Sequence, residues 1–340
     1  MSQDLNPVDS YEHSVLEAWR SVITGTIRRD SNFFAEGGSS VGAARVTARL
    51  RGALSQNYPL SLLAQYPVFA DFVQMIRKNS SESLPALRVR AGLGQAGAAS
   101  HKSAWIHAGG GEIMFLRGIA ESLPEIDFLG IRDVDWDRPA DRIVPLAISE
   151  QAASYHDVIV AHGDYPHVAG YSSGSILAYE VAALRQAAGL SVVPPLLIDP
   201  PMLDRVRTQP SYEEVLAEFV GVSEEAASDP ARHAVEWSEA LARRSPVGAL
   251  PEQGYEEWLA HMCRISAKSL WALRRYEPTH SSLRVHLVLS STRPDLETSL
   301  SDWSGLCGGP LVVHMIDASH HDIISHPELP RIIEDWISSN

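Results

Sequence analysis

Two serine motifs in this chain have surroundings suited to chemistry on a hydroxyl. The first is Phe33-Phe34-Ala35-Glu36-Gly37-Gly38-Ser39-Ser40; the second is Gly170-Tyr171-Ser172-Ser173-Gly174. In the second, a strand pattern runs into the serine and a helical pattern runs out of it. A serine there needs a tight, strained turn to expose its oxygen, and the glycines let strand, turn and helix approach closely. Composition alone would allow a glycine-rich loop; the strand–turn–helix context favours a nucleophile at Ser172. In the first motif a serine stands at a helix start, where it could be a plain N-cap. It could equally be an exposed modification site, with the paired phenylalanines anchoring the loop and the glycines giving an enzyme access.

A nucleophilic serine in such a turn needs an acid and a base later in the chain, in the order Ser, Asp, His. Asp199 closes the next strand, Leu196-Leu197-Ile198-Asp199-Pro200, and Asp295 follows a later strand at Val285–Leu289. Both are open as the acid, and a strand-end aspartate can also be a simple turn residue. Of 14 histidines, His320 and His321 stand just past the last predicted strand. A loop there can reach the serine, and imidazole titrates near working pH. His320 is the expected base and His321 the second choice; His314 lies inside the strand and is expected to be packed. His107-Ala108-Gly109-Gly110-Gly111 ends the first strong strand. Its small residues could offer the Gly109 N–H to a developing oxyanion, with the Ser173 N–H as second donor.

The elements that must position these groups follow from periodicity. Residues 8–79 read as a small helical bundle, with stripes over Ser10–Ile23, from about Ser40, and over Val68–Ile76. Residues 80–102 are small and polar, a connector with a possible edge strand at Leu84–Val89. Over residues 84–340, strands at 104–107, 126–131, 167–171, 192–198, 285–289 and 311–316 alternate with helices. That rhythm predicts an α/β class with a parallel sheet. Residues 203–260 break it, being acidic and helical without a strand, as a lid over an active site would be. Gly92-Leu93-Gly94-Gln95-Ala96-Gly97 has dinucleotide-loop spacing but leads into a strand, so it is expected to be linker.

Composition narrows the partners. Net charge is −14; residues 1–78 hold seven acidic and eight basic side chains, so the body after them is strongly acidic. Nucleic acid and an anionic membrane are therefore not expected. No apolar run reaches membrane-spanning length and the N-terminus lacks the form of a secretory signal. Two cysteines support neither a disulfide framework nor a cysteine-rich metal site, and a cytoplasmic location is expected. Arg45 and Arg49 lie four apart on the helix after Ser40, a basic face that could dock an acidic partner or simply be solvated.

Taken jointly, these motifs resemble a known arrangement. Residues ~10–78 resemble the peptidyl carrier domain of nonribosomal peptide synthetases. That family's motif is two phenylalanines, two spacers, two glycines, a variable residue and the modified serine. Ser39 stands at the variable position and Ser40 keeps the spacing. Residues ~84–340 resemble the type I thioesterase domain of such synthetases, an α/β-hydrolase. The resemblance supports Asp199 as the acid and matches Ala318-Ser319-His320-His321; Ala108 departs from the proline usual in the oxyanion loop. It implies 4'-phosphopantetheine on Ser40, attached by a phosphopantetheinyl transferase, and upstream condensation and adenylation modules as partners. An acyl or peptidyl thioester would pass to Ser172 and leave by hydrolysis or macrocyclisation. The alternative is a carrier that hands its cargo on, with a slow or proofreading hydrolase, serving a synthetase in trans.

Overall fold

The computed structural model describes residues 5, 7–38, 40–54, 58, 62–63, 66–78, 86–89, 101–136, 138, 142–163, 165–190, 192–203, 209–244 and 255–339. The described residues fall into two compact units. One takes in the N-terminal region with segments 134–143 and 216–265; the other takes in 85–133, 144–215 and 266–340.

In the first unit, helices α1 (Ser10–Arg20), α2 (Ser40–Leu54) and α3 (Phe69–Lys78) carry the N-terminal apolar residues. Trp19 is the hub, with the rings of Phe33 and Phe69 edge-on at 5.1 and 5.2 Å. A reciprocal cap starts α1: Asp9 accepts from the Glu12 N–H at 2.8 Å, and Glu12 accepts from the Val8 N–H at 2.7 Å. Arg29 ties the following loop to the same Glu12 carboxylate at 2.9 Å. The Phe33–Gly38 turn then has a physical account. Phe33 is fully buried, and its N–H donates to the Pro67 carbonyl at 2.8 Å. Asn32 Oδ1 accepts from the N–H groups of Phe34 and Ala35, tightening the turn. Gly37 sits at φ +95°, and a Cβ on Gly38 would run into the Phe33 ring and carbonyl. Two aromatics and two glycines are thus one packing unit ending two residues before α2.

Four further helices lie between residues 212 and 274: α7 (Tyr212–Val220), α8 (Glu224–Ser228), α9 (Ala234–Arg244) and α10 (Tyr255–Arg274). Trp237 Nε1 donates to the Ala226 carbonyl at 2.7 Å, and Arg264 covers the Trp237 ring. The expected strandless interval 203–260 carries these helices and no strand among its described residues; 204–208 and 245–254 lie outside them. So do the boundary near Leu84, the 92–97 glycine loop and Ser39.

The second unit is a seven-stranded sheet in the order β1-β3-β2-β4-β5-β6-β7. The strands are β1 (Ala86–Val89), β2 (His101–Ile106), β3 (Ile126–Ile131), β4 (His167–Tyr171), β5 (Leu196–Ile198), β6 (Val285–Ser290) and β7 (Leu311–Ile316). β1 is antiparallel to β3; every other pair is parallel. Helices α4 (Leu116–Ser122), α5 (Ile148–Ala161), α6 (Ser173–Ala187), α11 (Leu296–Leu306) and α12 (Leu329–Ser338) complete the alternation. Strand β4 is buried along its length, as a central parallel strand must be. The expected strand 192–198 begins only at Leu196. Pro194 and Pro195 precede it and have no N–H for a ladder, so they serve as acceptors instead.

Close backbone approach fixes where β4 turns into α6. A Cβ on Gly170 would collide with the Gly174 carbonyl, and one on Gly174 would collide with the carbonyls of Ile106 and His107. Gly174→Ala is expected to cost about 1–3 kcal/mol of stability. Gly118→Ala, in open space within α4, should be neutral or stabilising by up to ~1 kcal/mol. Urea denaturation of both variants checks the contrast; equal midpoints would contradict it.

His286 on β6 stacks on His314 of β7, with centroids 6.1 Å apart. Burial, with His314 and Arg284 adding to it, pushes His286 down to about 4. An unfolded chain binds that proton near pH ~6.5. The neutral ring therefore contributes stability that is full above that pH and is lost as pH falls toward 4. His286→Gln should lose less Tm than the parent between about pH 7.5 and about pH 5. Parallel losses would contradict this.

Candidate active site

The geometry around Ser172 starts with its backbone. Ser172 lies at φ 55°, ψ −128°, and its N–H donates to the Ile198 carbonyl at 2.9 Å. Ser175 Oγ braces the turn from between the carbonyls of Gly170 and Ile198, at 2.8 and 3.1 Å, its one proton shared by the two. Among described non-glycine residues, only Ser172 and Asp199 have positive φ. Such conformations are rare and need surrounding support. At Asp199 (φ 44°) that support is the N–H bond to the Val288 carbonyl at 2.7 Å.

Ser172, His320 and Asp199 come together in a line. His320 Nε2 is 3.1 Å from Ser172 Oγ, and its Nδ1 is 2.6 Å from Asp199 Oδ2. A carboxylate only accepts, so Nδ1–H donates to Asp199 and Nε2 is left to accept from the serine hydroxyl. The other carboxylate oxygen, Asp199 Oδ1, accepts from the Ser290 N–H at 3.1 Å and from Arg293 Nη1 at 2.9 Å. Burial works to raise the Asp199 carboxyl. The hydrogen bonds from His320 and Ser290 and the Arg293 charge outweigh it, leaving the group below the ordinary carboxylate range.

The loop that carries His320 is held from several sides. Ser290 Oγ donates to the Ala318 carbonyl at 2.5 Å, so one residue positions both the acid and the histidine loop. The Tyr171 ring stacks on His320 at 5.1 Å, and its hydroxyl donates to the His320 carbonyl at 2.7 Å. Burial, together with Asp199 and Asp322, pushes the Tyr171 phenol up to about 12, so it stays a donor. His321 lies edge-on beside His320 at 5.4 Å and is exposed. His314 is packed in β7 as expected. Asp295 is brought to a different place: both its oxygens accept from Arg293, at 3.0 and 2.8 Å.

Gly109 faces the elbow. A Cβ on it would lie 3.6 Å from Ser173 Oγ, in ordinary contact. Ser173 is the first residue of α6, where N–H groups lack intrahelical partners. Behind the glycine loop lies a buried polar cluster that periodicity gave no hint of. His107 Nδ1 donates to the Ala108 carbonyl at 2.7 Å, which leaves Nε2 to accept from the Tyr155 hydroxyl, also at 2.7 Å. Burial pushes His107 below its ordinary value, so the ring is neutral. Asp133 lies 3.8 Å from the same nitrogen, and the fully buried Lys268 ammonium donates to Asp133 at 2.7 Å. The Asp133 N–H in turn donates to the Gly111 carbonyl. These bonds hold the loop at Ala108, where the resembling family has a proline.

Ser40, the residue expected to carry the modification, opens the 15-residue helix α2, whose first turn has no acidic residue. Among the described residues no group of three or more His, Cys, Asp or Glu could hold a metal ion. No described helix is long and apolar enough to cross a membrane.

Comparison with known proteins bears on the family and the fold. A family model for the thioesterase domain matches residues 104–338, and one for the phosphopantetheine attachment site matches residues 13–76. No curated protein sequence matches the chain. Among solved structures, a four-domain nonribosomal peptide synthetase bound to AMP and glycine aligns with 98% of this chain at 18% identity and TM-score 0.57. The chain spans only 26% of that synthetase. The Vlm2 thioesterase domain bound with a dodecadepsipeptide aligns with 74% of this chain and 98% of its own length, at 16% identity and TM-score 0.52. The NocB thioesterase domain, in covalent complex with a fluorophosphonate nocardicin G analogue, aligns with 70% and 95% at 20% identity and TM-score 0.50. At these identities the likeness is one of fold, the α/β-hydrolase. The family model spans well over half the chain: this protein belongs to the thioesterase domain family and carries a phosphopantetheine attachment domain ahead of it.

Proposed function

We propose that the chain is a terminal carrier–thioesterase of a nonribosomal peptide pathway. It would transfer an acyl or peptidyl thioester to Ser172 and release the product by hydrolysis or macrocyclisation. The observation that carries this reading is the Ser172–His320–Asp199 line, in a chain that also holds a carrier domain.

The carrier fits its group. Ser40 stands at a helix N-terminus free of acidic residues in the first turn, an environment that favours a phosphodiester anion. A 4'-phosphopantetheine there would supply a thiol that carries the acyl chain as a thioester. A phosphopantetheinyl transferase and upstream condensation and adenylation modules are the partners this implies.

The residues of the hydrolase unit account for the chemistry in order. His320 Nε2 takes the proton from Ser172 Oγ as that oxygen bonds to the thioester carbonyl carbon. Asp199 holds the imidazole in the required tautomer and stabilises the imidazolium. The N–H groups of Ser173 and Gly109 donate to the oxyanion, each worth roughly 3–4 kcal/mol of barrier. The C–S bond breaks, His320 returns the proton to the leaving thiolate, and an ester remains on Ser172. His320 then deprotonates water, giving a free acid, or an amine or hydroxyl of the acyl chain, giving a lactam or lactone. Ser172 is regenerated either way. Segment 203–260 is the part we assign to controlling water access, and so to the choice between outcomes.

Ser172→Ala should abolish thioester turnover, and Asp199→Asn should lower kcat by about 10⁴ while leaving the fold intact. Turnover assays on acyl-pantetheine thioesters check both. An active Ser172→Ala variant would overturn the nucleophile. A single-turnover burst without further cycles would favour the handover alternative. For the carrier, incubation with a phosphopantetheinyl transferase and coenzyme A should add one phosphopantetheine mass, lost in Ser40→Ala. Retention of that mass in Ser40→Ala, with loss in Ser39→Ala, would move the site to Ser39.

A further inference from the structure

Asp199 divides its two oxygens between a group that becomes cationic and one that always is. Oδ2 faces His320, the group that becomes positive during the reaction. Oδ1 faces Arg293, which is positive throughout. Arg293 is nearly buried, its side chain 9% exposed. It donates through Nη1 to Asp199 and to the Pro200 carbonyl at 3.1 Å, and through Nε and Nη2 to both oxygens of Asp295. Four of its donors are thereby spent on two carboxylates and one carbonyl. An arginine so placed is held as a planar fork and cannot swing away.

That arrangement has an electrostatic consequence. A guanidinium on the far oxygen competes with His320 for the same carboxylate charge. Alone, it would weaken the stabilisation that Asp199 gives the imidazolium. Asp295 sits on the other side of the guanidinium and returns a negative charge. We propose that Arg293 and Asp295 form a balanced pair of positioning residues that fix the Asp199 carboxylate and set how strongly it supports the protonated His320. This rests on Ser172, His320 and Asp199 being the reacting line. The other titratable groups near His320 are Tyr171 from β4, and His321 and Asp322 from its own loop; none of them touches Asp199 Oδ1. The rival acid of the sequence thus has a role one residue removed from the reacting line.

The balance predicts shifts of opposite sign. Arg293→Met leaves Asp199 free to favour protonated His320, so the acid limb of the pH–rate profile moves up. Asp295→Asn leaves the guanidinium uncompensated, so the limb moves down. Each shift should be about half a pH unit or more, and the double variant should return toward the parent. A purely structural brace would lower rates without moving the limb. The readout is the rate of Ser172 labelling by a fluorophosphonate across pH, in the full chain, with thermal unfolding run alongside. Asp295 is the more exposed partner, so Asp295→Asn tests the sign even where Arg293→Met does not fold. Opposite shifts support the pair. Parallel or absent shifts in a chain labelled at Ser172 overturn the pair alone. Labelling of the parent at a residue other than Ser172 overturns the underlying line as well.

Discussion

Much of the hydrolase unit depends on one constraint, the reversal of direction between β4 and α6. The chain must pass from a buried strand to a helix in a single residue, and that residue must be Ser172 at φ 55°. Strain of this kind costs on the order of 1–3 kcal/mol. It is offset by the Ser172 N–H bond, by the Ser175 hydroxyl proton shared between two carbonyls and by glycines that let backbone touch backbone. The same turn puts the Ser173 N–H at a helix start and the serine oxygen toward His320. The second strained residue, Asp199, ends the neighbouring strand β5, which pairs with β4 through Tyr171 and Ile198. Positive φ in the described backbone is thereby confined, outside glycine, to Ser172 and Asp199.

Buried charge is the second theme. Lys268 and Asp133 are fully buried, as is the neutral His107 beside them. Taking charges out of water is costly, and a buried pair is no simple source of stability. Their hydrogen bonds lead to Ala108 and Gly111, on either side of Gly109, which accounts for a polar cluster inside an otherwise apolar layer. Arg293 with its two carboxylates is the equivalent arrangement behind Asp199. The cluster behind the Gly109 loop is fully buried, whereas the one beside Asp199 runs outward to the part-exposed Asp295.

The sequence carried the order of strands and helices because period-2 and period-3.6 patterns survive wherever one face is buried. It carried Ser172 and His320 because both sit at strand ends that local pattern can locate. It left Asp199 and Asp295 open because both follow strands. What separates them is which strand lies beside β4, a fact of sheet order rather than of local sequence. Lys268, Asp133, Tyr155 and Arg293 were not legible at all. A charged residue gives the same pattern whether it faces water or a distant partner, and these partners lie 94 to 135 positions apart for the two ion pairs. The prolines before Leu196 shorten that strand because their carbonyls accept from elsewhere, Pro195 from the His286 N–H on β6 and Pro194 from the Trp336 indole.

The central claim is that the acyl group resides on Ser172 between transfer and release. Intact-mass and peptide-level spectrometry of the full chain, quenched during turnover of an acyl thioester, tests it directly. The account predicts one acyl adduct on the peptide containing Ser172, absent from Ser172→Ala. An adduct that persists in Ser172→Ala at another residue of the hydrolase unit would contradict it.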